Sequence, residues 1–349
     1  MKIAFIVPSL INKGPIIVVD TIIKNLISKV EQIDVYYFDD KKGIDFICPT
    51  HKITMDMPID FDQYDLIHSH MYRPDKYVNK WKSKIKKAKT ITTIHQDIFQ
   101  NVRYSHNIFI ALIFEYVWKK IIRKMDMTVV ISKKLYNLYE KQIKKLVVIY
   151  NGVDISINDK DSDPEIRKTI KGLSEKGHKI IGTYALITKR KGIDQLVSLL
   201  KLRNDIGLVL IGEGVEKERL MAKVEKNGWK NRVLSFPYLE KPYNYIDEFD
   251  VYAMPSRSEG FGLAIAEAAL TKTPIICSNI EVFKEIFDRT EVSFFELENI
   301  RSLSDSVDSA IGQEQTKTEK AYNKIVTQFS GQTMADNYLK LYKRILNES

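Results

Sequence analysis

The chain contains 349 residues, 44% of them hydrophobic and 28% charged, which excludes wholesale disorder and a collagen-like structure and predicts about two domains. Its two cysteines exclude a disulfide framework, and we expect a soluble or peripheral protein, because the first apolar run ends at Pro8 and the longest, residues 108–118, is interrupted by Glu115. The net charge of +9 lies in residues 1–155, which hold 25 basic and 16 acidic side chains, whereas residues 156–349 hold 29 of each.

The first half of the chain alternates between strands and helices. The strands are apolar without a period of two, which predicts a parallel sheet that is covered on both faces. A polar run at residues 159–164 marks the predicted linker to the second half. We predict strands at 2–7 (ending at Pro8), 33–38, 65–68, 90–95, 127–132 and 146–150, and helices at 16–30, 108–125 and 133–144.

After the linker the same pattern begins again, and it ends in an amphipathic helix at 333–346. Two consecutive α/β units predict two Rossmann-like domains with parallel sheets that face each other across a cleft, at 1–155 and 156–332. Ligands of such sheets bind at the carboxyl ends of the strands. We predict strands at 179–184, 207–211, 233–236, 250–254 and 274–277, and helices at 193–202, 215–227 and 263–270.

The most specific motif follows the strand at 250–254. Gly260 and Gly262 allow the backbone to approach a ligand closely, and the free amides of the following helix start form an anion site. Glu259 and Glu267 would flank that site, where carboxylates accept hydrogen bonds from sugar and ribose hydroxyls. The alternative is that Glu259 caps the helix and Glu267 is solvated, but the small apolar neighbours of Glu267 argue against it.

A basic loop, Thr188–Gly192, follows the first strand of the second half. Fixed cations at this position would stabilise negative charge on a leaving group, a task that a metal performs elsewhere. The alternative is a solvated basic turn. The turn at 211–214 is a weak signal, because a tight turn explains its glycines equally well.

Glu259 and Glu267, separated by seven residues with Gly-Phe-Gly after the first, closely resemble the donor-binding motif of the retaining family 4 glycosyltransferases of the GT-B fold. The segments 65–70, 93–95, 128–132 and 148–154 are similar, in order and spacing, to that family's strand ends and interdomain signature. The resemblance extends over residues 2–285.

The resemblance implies that the first domain takes the acceptor, the second binds the nucleotide sugar, and a C-terminal helix at about 333–349 returns to the first domain. It implies that Lys191 holds the donor phosphate, that Glu259 orients the donor sugar and Glu267 the ribose, and that His95 contacts the transferred sugar. The remaining donor contacts that it implies are Gly14, Gly260, Phe261, Gly262, Leu263, Tyr238 and Leu239, although Tyr238 is equally compatible with a core position.

Two positions depart from the family pattern. The family's second phosphate-binding arginine is replaced by Leu186, so that Arg190 would have to supply this charge, and a single Gly14 stands where paired glycines are usual. His68 and His70 have metal-like spacing but lack a third ligand nearby, so we interpret them as structural and cleft-lining. We expect no metal and no cofactor.

The basic excess is concentrated in residues 72–148, which hold 18 basic and 5 acidic side chains. Within it, the segments 81–89 and 116–124 mix lysines with Trp, Tyr and Ile, which suits an anionic membrane interface. The alternative is that Trp118 and Ile121 are core residues of an ordinary helix. We find no recognition motif for nucleic acid.

These observations predict a retaining, metal-independent hexosyltransferase that moves a sugar from a nucleotide sugar, such as a UDP-sugar, to a hydroxyl of a glycolipid or surface polysaccharide. The expected location is cytoplasmic, at the inner face of the cell membrane. Two alternatives stay open: a catalytically impaired glycosyltransferase-like partner subunit, and a sugar-nucleotide epimerase on the same fold.

Overall fold

A computed structural model describes residues 1–154, 162–312 and 314–348. The chain divides into two compact units: unit 1 comprises Met1–Asp154 and Phe329–Ser349, and unit 2 comprises Ile155–Gln328. Residues 159–161 of the predicted linker lie outside the described residues. Each unit is an α/β structure around its own parallel sheet, as predicted.

Unit 1 contains seven parallel strands in its described part: β1 (Lys2–Leu10), β2 (Gln32–Lys42), β3 (Thr50–Lys52), β4 (Leu66–His70), β5 (Lys89–Ile94), β6 (Met127–Val130) and β7 (Leu146–Val148). Their order is β3-β2-β1-β4-β5-β6-β7. The predicted end of the first strand at Pro8 is wrong. The pairing of β1 with β4 ends at Ile6, so the missing N–H of Pro8 costs no hydrogen bond in that ladder.

In the described part of this unit, the helices that connect the strands are α1 (Gly14–Leu26), α2 (Tyr72–Lys80), α3 (Ile98–Arg103), α4 (Ile108–Ile122) and α5 (Lys133–Tyr139). Helix α1 begins two residues earlier than predicted, because Pro15 is well accommodated in a first helical turn. Helices α2 and α3 were absent from the sequence prediction. Both are short, and α2 carries Pro74 and few apolar residues, so neither contains a long apolar segment from which a helix is predicted.

A buried carboxylate ties α2 and α4 to the sheet. Asp75 of α2 accepts hydrogen bonds from Ser69 Oγ at 2.6 Å, from Thr92 Oγ1 at 2.7 Å and from Trp118 Nε1 at 2.7 Å. Trp118 and Ile121 are both buried, so the predicted membrane position of Trp118 is wrong and the alternative of core residues is confirmed. No helix within the described ranges has the length and apolarity needed to cross a bilayer.

Burial raises the pKa of Asp75 to about 7, against the lowering effect of its three hydrogen-bond donors. The folded state then holds the proton more tightly than the unfolded chain, whose aspartate pKa is 3.8, so stability is lost as the pH rises through 7. We expect the free energy of unfolding to fall by up to about 4 kcal/mol as the pH rises from 3.8 to about 7. Urea unfolding, followed by tryptophan fluorescence at several pH values, should show that the slope of the free energy of unfolding against pH vanishes in Asp75→Asn. It should persist in the control Asp45→Asn, which changes an exposed aspartate, and equal slopes in the two variants would contradict the expectation.

Unit 2 contains a second parallel sheet, of six strands in its described part: β8 (Lys179–Tyr184), β9 (Ile206–Ile211), β10 (Val233–Phe236), β11 (Val251–Met254), β12 (Ile275–Ser278) and β13 (Ser293–Phe295). Their order is β10-β9-β8-β11-β12-β13. The flanking helices are α6 (Pro164–Ser174), α7 (Ile193–Leu199), α8 (Lys217–Lys226), α9 (Leu263–Leu270), α10 (Glu281–Ile286), α11 (Ile300–Ile311) and α12 (Glu314–Gln328).

The last helix, α13 (Gly331–Asn347), belongs to unit 1, where it packs against α1. Tyr342 Oη lies 2.7 Å from His68 Nδ1, and Tyr338 Oη lies 3.1 Å from Thr93 Oγ1. The return of the C-terminal helix to the first domain, which the resemblance implies, is confirmed.

Candidate active site

Two loops meet at the carboxyl edge of the unit 2 sheet, because β8 and β11 are neighbours. The loop after β8 contains a short 3-10 helix, Lys189–Lys191, and the loop after β11 carries Glu259. Lys191 Nζ lies 2.5 Å from Glu259 Oε1, and Arg190 Nη1 lies 3.2 Å from Glu259 Oε2. Ser256 Oγ donates to the same carboxylate at 2.8 Å. The structure therefore brings together three of the predicted catalytic residues.

The backbones of these two loops are clamped together. Gly192 has φ of +67°, and a Cβ there would lie 2.0 Å from the carbonyl oxygen of Pro255, so only glycine fits. The guanidinium of Arg257 donates to the carbonyl of Lys189 at 2.6 Å and to Asp194 at 2.8 Å. These contacts fix the position of the cations relative to Glu259.

Burial alone would raise the pKa of Glu259, but Lys191 and Arg190 lower it to about 2. Burial lowers the pKa of Lys191, and Glu259 acts in the opposite direction. Two basic side chains therefore face one carboxylate within hydrogen-bonding distance. The alternative of a solvated basic turn is wrong for Arg190 and Lys191, whose side chains are 23% and 15% exposed.

Glu267 lies on α9 and is buried. Tyr184, at the end of β8, donates its hydroxyl to Glu267 Oε2, and burial raises the pKa of this carboxyl. The alternative of a solvated Glu267 is wrong. The alternative of Glu259 as a helix cap is also wrong, because Gly262 occupies the N-cap position of α9 and no side chain in the described part of the chain caps it.

At the start of α9, the groups available to a ligand are mainly those of the backbone. Gly262 has φ of +97°, and a Cβ there would lie 2.9 Å from the ring of Phe283. Gly260 is buried and the side chain of Phe261 belongs to the core, so a donor could contact Phe261 through its backbone only. Leu263 is partly exposed, and the first amides of α9 have no side-chain cap in the described residues.

The remaining unit 2 predictions fall at the same edge of the sheet. Arg190 points toward Glu259 and also donates to the carbonyl of Ser258 at 2.8 Å, whereas Leu186 is 55% exposed. Tyr238 and Leu239 follow β10, two strands away from β8. Tyr238 is 55% exposed, so the alternative of a core position is wrong.

Gly14 and His95 belong to unit 1, where both lie at the carboxyl edge of its sheet: Gly14 begins α1 and His95 follows β5. His95 Nε2 lies 2.8 Å from His70 Nδ1, and burial lowers the pKa of His95 to about 3. His68 and His70 are fully buried, which agrees with a structural role but makes the expectation that they line a cleft wrong.

Both imidazoles of the His70–His95 pair are neutral at pH 7, because burial lowers the pKa of each. His70 Nε2 is buried without a hydrogen-bond partner among the described residues. Buried N–H groups without a partner are rarer in proteins than buried acceptors without one, which favours the tautomer in which His70 Nδ1–H donates to His95 Nε2. His95 then carries its own proton on Nδ1 and can present an N–H to a ligand.

The sequence prediction missed three residues of this site: Tyr184, Ser256 and the clamp residue Arg257. Tyr184 had a usable signal, since it ends a strand just before the basic loop. The pairing of Arg257 with Asp194 bridges 63 residues and leaves no local pattern. A separate open pocket of about 710 Å³ around Glu298 and Arg301 contains none of the predicted site residues.

Comparison with known proteins places this geometry in a family. Residues 165–328 match the model for "Glycosyl transferases group 1", and residues 47–157 match "Glycosyltransferase Family 4". The chain is 32% identical over 355 residues to the "O-antigen biosynthesis glycosyltransferase WclY" of Escherichia coli, covering 100% of this chain and 99% of that one.

A more distant relative is the Campylobacter jejuni "N-acetylgalactosamine-N,N'-diacetylbacillosaminyl-diphospho-undecaprenol 4-alpha-N-acetylgalactosaminyltransferase", 25% identical over 241 residues, which are 67% of this chain and 63% of that protein. Among solved structures, Anabaena Alr3699/HepE in complex with UDP and glucose has a TM-score of 0.81 at 18% identity, covering 99% of this chain and 100% of that one. The two family models, the Escherichia coli relative that aligns over the whole chain and the similarity in fold all agree. The chain belongs to the glycosyltransferases of family 4 with the GT-B fold.

Proposed function

We propose that the protein transfers a hexosyl unit from a UDP-sugar to a hydroxyl of a lipid-linked or surface glycan, with retention of the anomeric configuration. The observation that carries this proposal is the Lys191–Arg190–Glu259 cluster at the carboxyl edge of the unit 2 sheet. Support for the acceptor class comes from the relatives, one named for O-antigen biosynthesis and one for a diphospho-undecaprenol substrate. The UDP and glucose of the Anabaena complex support the donor.

The cluster suits the departure of a diphosphate. As the bond between the sugar C1 and the phosphate oxygen breaks, negative charge grows on the leaving group, and Lys191 and Arg190 are held where such charge would be stabilised. The uncapped amides of α9 add donors on the same edge. These groups supply electrostatic stabilisation without a metal ion.

Retention follows from attack on the face that the diphosphate leaves. The acceptor oxygen bonds to C1, and its proton passes to the departing phosphate oxygen, so no enzyme nucleophile is needed. Glu259, held by Lys191 at 2.5 Å, would orient the hydroxyls of the donor sugar. In unit 1, His95 has its Nδ1–H available for a sugar hydroxyl. Glu267 would accept from the ribose.

The test is a transfer assay with UDP-, GDP- and ADP-sugars and a diphospho-lipid-linked glycan acceptor, in the presence of EDTA. We expect product from one UDP-sugar, with the anomeric configuration of the donor shown by NMR. A requirement for added metal, or an inverted product, would contradict the mechanism.

One observation keeps the impaired-subunit alternative in view: Leu186 is exposed where the family has a phosphate-binding arginine. The direction of Arg190 toward Glu259 favours the enzyme. The same assay separates the alternatives, because an impaired subunit yields no product with any donor, and an epimerase converts the nucleotide sugar without an acceptor.

A further inference from the structure

Helix α4 of unit 1 is apolar on both of its faces. Its inner face, which includes Ala111, Trp118 and Ile122, packs in the core. Its outer face, which we call the α4 apolar face, is formed by Ile108, Phe109, Ile110, Leu112, Ile113 and Tyr116.

Phe109, Ile113 and Tyr116 are 73%, 65% and 63% exposed. A surface helix of an α/β unit ordinarily turns polar side chains to water, and a contiguous apolar patch marks an interaction site.

We propose that the α4 apolar face docks on an anionic lipid bilayer, with α4 lying in the plane of the interface. Phe109, Ile113, Tyr116 and Lys120 follow each other at spacings of four, three and four residues, so they form one stripe that ends in a cation. Apolar side chains on such a stripe enter the boundary between headgroups and acyl chains, and the lysine stays among the headgroups.

The charge around the α4 apolar face selects an anionic surface. Between residues 98 and 124 the only acidic side chain is Glu115, which is paired with Lys119 at 3.2 Å. The cations of this segment are Arg103, Lys119, Lys120, Arg123 and Lys124. Each basic residue near an anionic leaflet adds to binding, and the attraction weakens as salt is added.

A second copy of the chain fits this surface less well. A two-fold interface brings the same patch of each copy together, so the cations around one α4 apolar face would oppose those of the other. A bilayer with anionic headgroups satisfies both the apolar stripe and the surrounding charge.

The position of α4 relates membrane docking to the acceptor, and here the inference rests on the proposed function. The chain leaves the carboxyl end of β5 at His95, passes through α3 and enters α4, which runs back toward the start of β6. The apolar, N-terminal end of α4 therefore lies toward the sheet edge that carries His95. A bilayer at that end would hold a lipid-linked acceptor beside the edge of unit 1 that carries His95, the domain that is proposed to take the acceptor.

The α4 apolar face differs from the membrane contact that the sequence predicts. That expectation centred on residues 81–89 and 116–124, whereas the structure buries Trp118 and Ile121 and exposes the two turns of α4 that precede them. The apolar residues that matter are upstream of the lysine-rich end of the helix.

The experiment is co-sedimentation of the full chain with vesicles of phosphatidylcholine and phosphatidylglycerol in equal parts. We expect Phe109→Ser/Ile113→Ser to lower binding by at least about tenfold, since each apolar side chain withdrawn from water contributes roughly that factor. The matched control is Leu202→Ser/Val215→Ser, two exposed apolar residues of unit 2, which should bind as the wild type does. Vesicles of phosphatidylcholine alone should bind weakly.

Two results would overturn the inference. One is unchanged vesicle binding in Phe109→Ser/Ile113→Ser. The other is a wild-type dimer in light scattering that this variant converts to a monomer, together with no vesicle binding by either. UDP binding measured on the same samples separates membrane docking from the proposed function. If the wild type does not bind UDP, the proposed transferase activity is contradicted but membrane docking is not. If a variant that no longer sediments still binds UDP, the result supports both membrane docking and the proposed function.

Discussion

Replacing Lys191 by alanine is expected to lower kcat by about 10²–10³-fold, the usual effect of removing one preorganised group that stabilises charge in a transition state. Lys191 is one of two cations that contact Glu259, and Arg190 alone would remain to meet the charge on the diphosphate. The effect should appear in kcat more than in KM, because the charge on the leaving oxygen is largest in the transition state.

Initial rates of sugar transfer at saturating donor would measure this effect. Lys189→Ala is the matched control, since Lys189 lies in the same 3-10 helix but is exposed. Lys191→Arg, which keeps the charge, should recover part of the activity. Thermal unfolding must accompany the rates, because the alanine variant leaves the buried Glu259 with a single cation. A folded Lys191→Ala enzyme with wild-type kcat would remove Lys191 from the site.

The elements that hold this site were the most predictable part of the chain. Strands β8 and β10 and helix α9 agree with the prediction to the residue. Each is bounded by a strong local signal: a run of β-branched and apolar residues for the strands, and Gly-Phe-Gly before the helix. The motif that contains Glu259 and Glu267 is local in the same sense, which is why it could be recognised.

What could not be predicted depends on contacts between distant residues. Glu259 and Lys191 are 68 residues apart, and no sequence pattern indicates that two cations share one carboxylate. Trp118 was misplaced for a related reason: α4 is apolar all round, so periodicity could not tell its core face from its outer face. The hydrogen bond from Trp118 to Asp75, 43 residues away, decides the matter.

Replacing Glu267 by glutamine is expected to weaken nucleotide binding and, at the same time, to stabilise unit 2. The carboxylate would accept charge-assisted hydrogen bonds from the ribose, and losing the charge should raise the Kd for UDP about 10–100-fold. Burial raises the pKa of Glu267, so the ionised form is costly in the folded state. This cost sets in as the pH rises from 4.5, the value for an unfolded glutamate, through the raised pKa. Glutamine can still accept from Tyr184 without that cost.

Calorimetry with UDP and thermal unfolding at neutral pH measure the two effects on one sample. We expect weaker binding together with a Tm about 2–4 °C higher, the shift that corresponds to about 1 kcal/mol in a unit of this size. Tyr184→Phe separates the contributions, because it keeps the carboxylate but removes its donor, and its Tm should fall. Glu218→Gln, on the exposed side of α8, should change neither quantity. If Glu267→Gln gained stability and bound UDP as the wild type does, the buried carboxylate would have no part in binding. Weaker UDP binding at higher stability means that the carboxylate destabilises the folded unit 2 and contributes to nucleotide binding.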